Sequence, residues 1–514
     1  MQLSYLALHR KTIAVAALSS LLLFLSFPKY GTGLFAWIAL IPFLYTLREK
    51  TVYQGAVIGF FVGMLFHVGL IYWIVYVIVV YGNLPYYAAI FLMLLLAAYL
   101  SIYFALFAAG LIHLKNKSIP FIISAPPLWI ILEFVKSNLF TGFPWENLAY
   151  SQYLNHHVIQ IADLAGGYGI SFVIVLVNVI GYDLFFDRIT KKKIALEIAL
   201  GIALISSIYS YGVLRGMQID MAVAKAPSIP VTLVQGNIDQ SLKWNDHYQK
   251  ETIDIYQKLS LAPPEKTSPG MIIWPETAVP FYFQNVDDLH RRIVSLAVQT
   301  ENWILFGSPS YAAEEGKLSF LNTAFLLSPH GNMVAQYNKV HLVPYGEYVP
   351  LRRFFPFIGK MAAGVGDFQA GEGFIPIKAG EWKIGVLICY EGILSEAGRI
   401  YKNEGAGLLV NITNDAWFGR TSAPYQHLSM TVFRAVENRL FLARAANTGI
   451  SAIIDPTGKI LMKSSIFERT AIQGHIKYLN LPTLYAKYGD IFVYVCFILL
   501  ISIYLMSEKR RITK

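Results

Sequence analysis

The sequence predicts a polytopic α-helical membrane protein with a folded α/β domain inserted before its last helix. Three observations carry this reading. The 514 residues are 55% hydrophobic and only 14% charged, with a mean hydropathy of +0.48, too apolar for a soluble chain of this length. The apolar excess is uneven, lying mostly before Leu214 with one further block over 491–506. Between them the composition is that of an ordinary globular domain of roughly 250 residues. The expected division is therefore a membrane region of about seven helices over 1–214, a globular domain over 215–482, and a last helix with a basic tail over 483–514.

A bilayer crossing needs ~20 apolar residues. On that criterion about eight helices are expected, near 12–27, 33–47, 55–81, 84–114, 119–135, 167–186, 194–214 and 488–506. The first begins like a signal peptide, after His9-Arg10-Lys11. It lacks a small-x-small cleavage site and runs into Pro28-Lys29-Tyr30, so a retained helix is expected. Alternate crossings place Arg10/Lys11, Arg48/Lys50, Lys115/Lys117, Arg188/Lys191/Lys192/Lys193 and Lys509/Arg510/Arg511/Lys514 on one side. The other side receives Lys29, the uncharged Gly82-Asn83 turn and the 136–166 segment. That bias puts both termini in the cytoplasm and the globular domain on the far side. The net charge of +10 arises largely from these loops and the tail, and reads as topology rather than nucleic-acid binding. Ionisable groups inside a membrane are costly. His67 is expected to hydrogen-bond between helices, and Glu133 to face a lateral cleft or the interface.

From Ile229 short β-rich runs alternate with helical stretches. A strand at 231–234 leads through Gln235-Gly236-Asn237 to a helix from Asp246, and one at 271–274 ends at Pro275-Glu276 before a helix from Val286. Further strands are expected at 304–307, 323–327, 383–388, 408–412 and 451–454, with a long amphipathic helix over 425–446. Such alternation defines an α/β layered domain.

The chain has two cysteines, so no disulfide framework is available. Cys496 sits in the last apolar stretch. Cys389 ends the run Ile384-Gly385-Val386-Leu387-Ile388 and is followed by Tyr390-Glu391-Gly392. A thiol where a strand turns into a helix meets the partial positive charge of the helix start, which favours thiolate. Trp274-Pro275-Glu276 places a carboxylate at the mouth of another strand. Tyr337-Asn338-Lys339-Val340-His341-Leu342 adds a lysine, with Glu347 close behind. Singly, each has a plainer reading: a structural thiol, a solvated glutamate, a surface lysine. Together, on strand ends of one domain, they resemble the nitrilase superfamily (carbon–nitrogen hydrolases), whose catalytic set is Glu, Lys and Cys. The resemblance implies a four-layer α-β-β-α sandwich with Glu276, Lys339 and Cys389 catalytic.

With hydrophobic helices before and after the domain, the whole chain resembles the membrane-bound branch of that superfamily, the apolipoprotein N-acyltransferases. Supporting stretches are Phe140-Thr141-Gly142-Phe143-Pro144-Trp145, Tyr150-Ser151-Gln152, Val234-Gln235-Gly236-Asn237, Lys243-Trp244 and 411–419 with Asn414-Asp415-Ala416-Trp417-Phe418-Gly419. One departure is Glu146, where the resemblance leads one to expect a less polar residue.

The resemblance implies acyl transfer from a membrane phospholipid, through a thioester on Cys389, to the α-amino group of the N-terminal diacylglyceryl-cysteine of an apolipoprotein. It also implies a multi-pass enzyme of the bacterial inner membrane with a periplasmic catalytic domain. A thiol suits such a two-step transfer, because splitting the reaction lets two substrates use one site in turn. Glu276 is expected to act as general base, and Lys339 with the Tyr390 N–H to hold the oxyanion. Glu347 and Glu391 are expected to support them, and Trp145, Trp244, Tyr390, Trp417 and Phe418 to line the substrate passage. The glycine-rich, Phe-rich stretch 351–373 is expected to form a lid. No metal-ligand cluster or cofactor motif is visible, so none is expected, and the protein is expected to work as a monomer. Two alternatives remain open on the residues. One is a membrane-tethered amidase or nitrilase that resolves its acyl-enzyme with water. The other is a transporter or scaffold whose domain only binds.

Overall fold

The computed structural model describes residues 2–186, 190–240, 243, 246–262, 269–314, 317–344, 346–348 and 368–512. They form two compact units: Met1–Val75, Pro85–Gly216 and Tyr488–Lys514 in the first, Tyr76–Leu84 and Met217–Lys487 in the second.

The first eight helices run α1 (Gln2–Phe24), α2 (Leu40–Thr46), α3 (Val52–Leu70), α4 (Trp73–Val80), α5 (Tyr86–Asn116), α6 (Phe121–Asn138), α7 (Ala162–Phe186) and α8 (Lys191–Lys225). Among the described residues five stretches are long and apolar enough to cross a membrane: Val52–Leu70, Tyr86–Asn116, Ile159–Phe186, Lys191–Lys225 and Ile491–Arg510. The expected crossing at 33–47 is not one helix. A 3₁₀ turn over Gly33–Trp37 precedes the seven-residue α2. The buried Asn178 amide on α7 replaces helix bonds lost at this break, accepting from Leu40 N at 2.8 Å and donating to Ala36 O at 2.8 Å. The expected 55–81 span is likewise two helices, α3 and α4.

Helices α3 and α5 pack closely because Gly55, Gly59 and Gly63 line one face of α3. A Cβ on Gly59 would lie 2.4 Å from Phe104 O. Small residues at that spacing let two backbones approach in lipid, where no hydrophobic driving force pulls helices together. His67 hydrogen-bonds Gly63 O on its own helix at 2.8 Å rather than a neighbouring helix. Glu133 is buried and accepts from Leu148 N at 2.7 Å, tying α6 to the segment after Trp145, and with His67, Lys136 and Glu146 it lines a cavity among these helices.

Among the described residues, the second unit contains twelve strands: β1 (Ser228–Gln235), β2 (Met271–Ile273), β3 (Trp303–Glu314), β4 (Lys317–Leu327), β5 (Met333–Asn338), β6 (Ile377–Ala379), β7 (Trp382–Ile388), β8 (Leu408–Thr413), β9 (Phe441–Ala446), β10 (Ala452–Ile454), β11 (Ile460–Lys463) and β12 (Thr470–Lys477). They form two six-stranded sheets, ordered β12-β1-β2-β3-β4-β5 and β11-β10-β9-β8-β7-β6. β1-β2-β3 and β7-β8-β9 run parallel, so their carboxyl ends gather on one edge of each sheet. Helices α9 (Asp246–Leu261) and α10 (Asp288–Thr300) cover the first sheet, burying Ile253, Tyr256, Ile293 and Leu296 against Ile272, Trp274 and Phe306. Helices α11 (Ser395–Asn403) and α12 (Ala423–Asn438) cover the second, where Tyr401 OH donates to Val386 O at 2.6 Å. The result is the expected α-β-β-α sandwich. The short α13 (Leu484–Tyr488) and the apolar α14 (Ile491–Ile512) come after it.

One expected element divides. The helix anticipated over 425–446 ends at Asn438, where Arg439 turns the backbone left-handed at φ 52°, and 441–446 becomes the parallel strand β9. Leu440-Phe441-Leu442-Ala443 is wholly buried, and a continuous apolar run carries no periodicity to separate buried strand from buried helix. Every residue of α12 except Tyr425 is buried, polar ones included.

Candidate active site

Three strand ends build the site. Glu276 comes after β2, Lys339 after β5 and Cys389 after β7. Glu276 and Lys339 are 6% and 1% exposed. Glu276 Oε1 accepts from Asn322 Nδ2 at 2.8 Å and lies 3.7 Å from Lys339 Nζ, while Oε2 accepts from Asn414 N at 3.0 Å. Glu276 therefore bridges the two sheets, because Asn322 lies on β4 and Asn414 follows β8. Gly307 backs it, since a Cβ there would sit 2.7 Å from Glu276 Cα.

Lys339 Nζ pairs with Glu347 Oε2 at 2.8 Å, and the same Asn322 amide that holds Glu276 donates to Glu347 Oε1 at 2.9 Å. Burial pulls the Lys339 pKa down, but Glu347, Glu276 and Cys389 outweigh it and raise the pKa above the ordinary lysine value. The ammonium thus stays charged.

Cys389 occupies the left-handed region at φ 54°, which a non-glycine residue enters only when its surroundings dictate it. Burial pushes its thiol well above the ordinary value and the Glu276 carboxylate adds to this, with Lys339 and a hydrogen bond to Thr413 only partly offsetting them. The expected helix-start thiolate is thereby corrected. Cys389 opens a five-residue 3₁₀ turn, too short to supply the field of a helix, and the resting form is the thiol. A neutral thiol needs a base at the moment of attack, and the carboxylate that raises its pKa is well placed to be that base.

Glu391 is fully buried and gathers four donors: Ile388 N at 2.7 Å, Val340 N at 2.7 Å, Tyr337 OH at 2.9 Å and His341 N at 3.1 Å. It fastens the loop after Lys339 to the turn of Cys389. Burial raises its pKa to about 7, with these amides and Lys339 pulling the other way. Tyr390 stacks on His341 at 5.5 Å.

Sequence reasoning missed four contributors. Asn322 and Asn414 orient Glu276; Asn322, one polar residue of a strand, gave no signal, and Asn414 stood only within the 411–419 stretch. His427 and Lys243 were also unmarked as site residues. Lys243 is fully buried, donating to Glu276 O at 3.3 Å and Thr277 Oγ1 at 3.1 Å. It holds Thr277 in the left-handed region at φ 48°, which is strained for a β-branched residue. Burial lowers the Lys243 pKa to about 7, with Glu276 opposing. Between pH 7 and ~10.5 the unfolded chain therefore binds a proton the folded one lacks, so this group makes stability rise with pH across that window. Thermal unfolding of the full chain in detergent at a series of pH values should show a slope that Lys243→Met removes. An unchanged slope would mean that Lys243 is charged throughout.

The aromatic residues separate. Trp417 stands edge-on to Tyr81 at 4.6 Å, with the Tyr81 OH on Ala416 O at 3.0 Å, and Phe418 lies edge-on to His427 at 6.2 Å. Trp145 lies in the other unit, buried beside Trp73 at 4.9 Å and Phe143 at 6.2 Å, as part of a packed aromatic cluster. Trp244 and residues 351–367 of the anticipated lid lie outside the described residues.

A half-buried thiol with a carboxylate and an ammonium, on strand ends of an α-β-β-α sandwich, defines a carbon–nitrogen-hydrolase-type enzyme. Residues 230–480 match the carbon–nitrogen hydrolase model, and residues 19–180 match the apolipoprotein N-acyltransferase N-terminal domain. The apolipoprotein N-acyltransferase of Geobacter metallireducens is 41% identical over 493 residues, covering 95% of this chain and 94% of that protein. Those of Rickettsia typhi and Haemophilus influenzae are 34% and 32% identical, over 74% and 96% of this chain and 75% and 94% of theirs. Among solved structures, a nitrilase-superfamily amidase from Nesterenkonia matches at TM-score 0.39 and 20% identity, over 53% of this chain and 99% of its own. The chain belongs to the apolipoprotein N-acyltransferase family.

Proposed function

We propose that this bacterial membrane enzyme moves an acyl chain from a phospholipid, through a thioester on Cys389, to the α-amino group of the N-terminal diacylglyceryl-cysteine of apolipoproteins. The observation that carries the reading is the convergence of the Cys389 thiol, the Glu276 carboxylate and the Lys339 ammonium in a family member whose chain also holds apolar membrane-length helices. Glu276 takes the thiol proton as sulfur attacks the ester carbonyl. Lys339 and the Tyr390 N–H hold the oxyanion, and the departing alcohol of the lysophospholipid recovers the proton from Glu276. The incoming amine then gives a proton to Glu276, attacks the thioester, and expels the thiol. Glu347 keeps Lys339 aimed, and Glu391 keeps its loop against the Cys389 turn. Trp417, Phe418 and Trp244 are assigned to the substrate passage, while the burial of Trp145 among Trp73 and Phe143 gives it a packing role. The catalytic domain is taken as periplasmic with both termini cytoplasmic, in keeping with the distribution of Lys and Arg, and the enzyme as a monomer.

The test is the intact mass of the purified protein after incubation with phospholipid vesicles. A hydroxylamine-labile acyl adduct is expected, and its transfer to a diacylglyceryl-cysteine peptide separates this reading from hydrolysis by water. Free fatty acid as the only product would favour the amidase alternative. Neither adduct nor fatty acid would end the proposal.

Glu347 shares Asn322 with the base and pairs with Lys339, so it acts on the thiol only through those two neighbours. Glu347→Gln keeps the Asn322 contact but loses the ion pair that aims Lys339, so loading and amine transfer should each slow about tenfold, since both pass through an oxyanion. Single-turnover rates for the two halves separate the effects. A loss confined to amine transfer would assign Glu347 to the second step alone.

A further inference from the structure

Helix α12 carries a histidine aimed at the nucleophile's own peptide bond. His427 is 1% exposed, with Nδ1 at 3.0 Å from Asp415 Oδ1 and Nε2 at 3.2 Å from Cys389 O. Asp415 is held in turn by Thr413 Oγ1 at 2.9 Å and by Arg444 at 2.9 Å. Burial would raise the Asp415 pKa, but Arg444 and His427 outweigh this and lower it to about 2, so it is a carboxylate. Both imidazole nitrogens therefore face oxygens that only accept. Burial and Arg444 lower the His427 pKa, with Asp415 and the Cys389 carbonyl opposing, yet only a ring that carries its proton on Nε2 makes the contact with Cys389 O a hydrogen bond.

The consequence comes from the geometry of one peptide unit. The carbonyl of Cys389 and the N–H of Tyr390 belong to the same planar trans group and point in opposite directions. Whatever pins the first aims the second. Asn411 Nδ2, at 3.4 Å, is a second side-chain donor on that carbonyl. Cys389 has a left-handed backbone, so this peptide needs such anchors to hold its direction.

We infer that His427, through its Nε2–H on Cys389 O, is a positioning residue that aims and polarises the Tyr390 N–H at the developing oxyanion. This rests on the thioester reading above, in which the Tyr390 amide is an oxyanion donor. Asp415 and Arg444 fix the ring and its protons. Nothing in the arrangement requires His427 to touch substrate.

Two reactions of the same thiol separate this role from a structural one. Thioester formation passes through an oxyanion, whereas alkylation by iodoacetamide displaces iodide at a tetrahedral carbon and makes none. With the full chain in phospholipid–detergent micelles, His427→Leu should lower kcat for thioester formation about ten- to hundredfold with KM unchanged. Its alkylation rate should stay within about twofold of wild type. His427→Gln, whose amide still donates, should recover most of the loss. Equal loss in both reactions, or undiminished loading in His427→Leu, would overturn the inference. Failure of wild type to load at all would instead sink the thioester reading. If the leucine variant does not fold, the unaltered protein with ¹⁵N-labelled histidine decides: a proton on Nε2 of His427 supports the assignment, and a bare Nε2 refutes it.

Discussion

Cys389→Ala should form no acyl adduct on any timescale on which wild type is fully loaded. The variant keeps a Cβ and so the same left-handed backbone demand at φ 54°, and it removes only the sulfur. The fold should survive, and thermal unfolding should shift by no more than about 1 kcal/mol equivalent. Only the nucleophile is lost. Intact mass after incubation with phospholipid reads this directly. A hydroxylamine-labile adduct remaining on the variant would move the nucleophile elsewhere. Cys496 is the other free cysteine, buried in the last apolar helix, and it has no carboxylate–ammonium pair beside it among the described residues.

Glu276→Gln should slow loading by about 10²–10⁴, the usual worth of a positioned general base. Isosteric replacement is unusually disruptive here. Both carboxylate oxygens face donors, Asn322 Nδ2 and Asn414 N, so a glutamine must set its own NH₂ against one of them. The resting thiol deepens the loss, because burial and charge leave little thiolate to act unaided. Single-turnover mass spectrometry should show loading and amine transfer falling together. Loss of amine transfer alone, with loading intact, would contradict the assignment of Glu276 as the base for Cys389.

The legible parts of this protein are those written locally. Glu276 and Cys389 each stand at the end of an apolar run and Lys339 just past a strand, and that placement survives folding because a strand delivers its last residue to the sheet edge. Strand–helix alternation foreshadows a layered α/β domain, and the resemblance foreshadows its four-layer sandwich. The hidden parts depend on contacts distant in sequence. Asn322 shows nothing until β4 lies beside β5, and Lys243 nothing until its loop reaches Thr277. His427 looks like one polar position on an amphipathic helix, yet α12 has no solvent face at all. The same burial explains the displaced helix end, since 441–446 is buried throughout. In the membrane unit, hydropathy marks the stretch 33–47 but not its break, because the amide that repairs the break comes from Asn178, far along the chain. The thiol's protonation is obscured for a related reason: a short turn and a long helix begin alike in sequence.

The enclosed α12 has a consequence for motion. An amide on a helix with one wet face can exchange its hydrogen through small local openings, but those of α12 have no exposed side to fray from. Deuterium should enter them only when the whole sandwich opens, at a rate that tracks global stability. The floor beneath the nucleophile is then among the last parts of the molecule to move. Surface loops can fluctuate without altering the aim of the Cys389 turn.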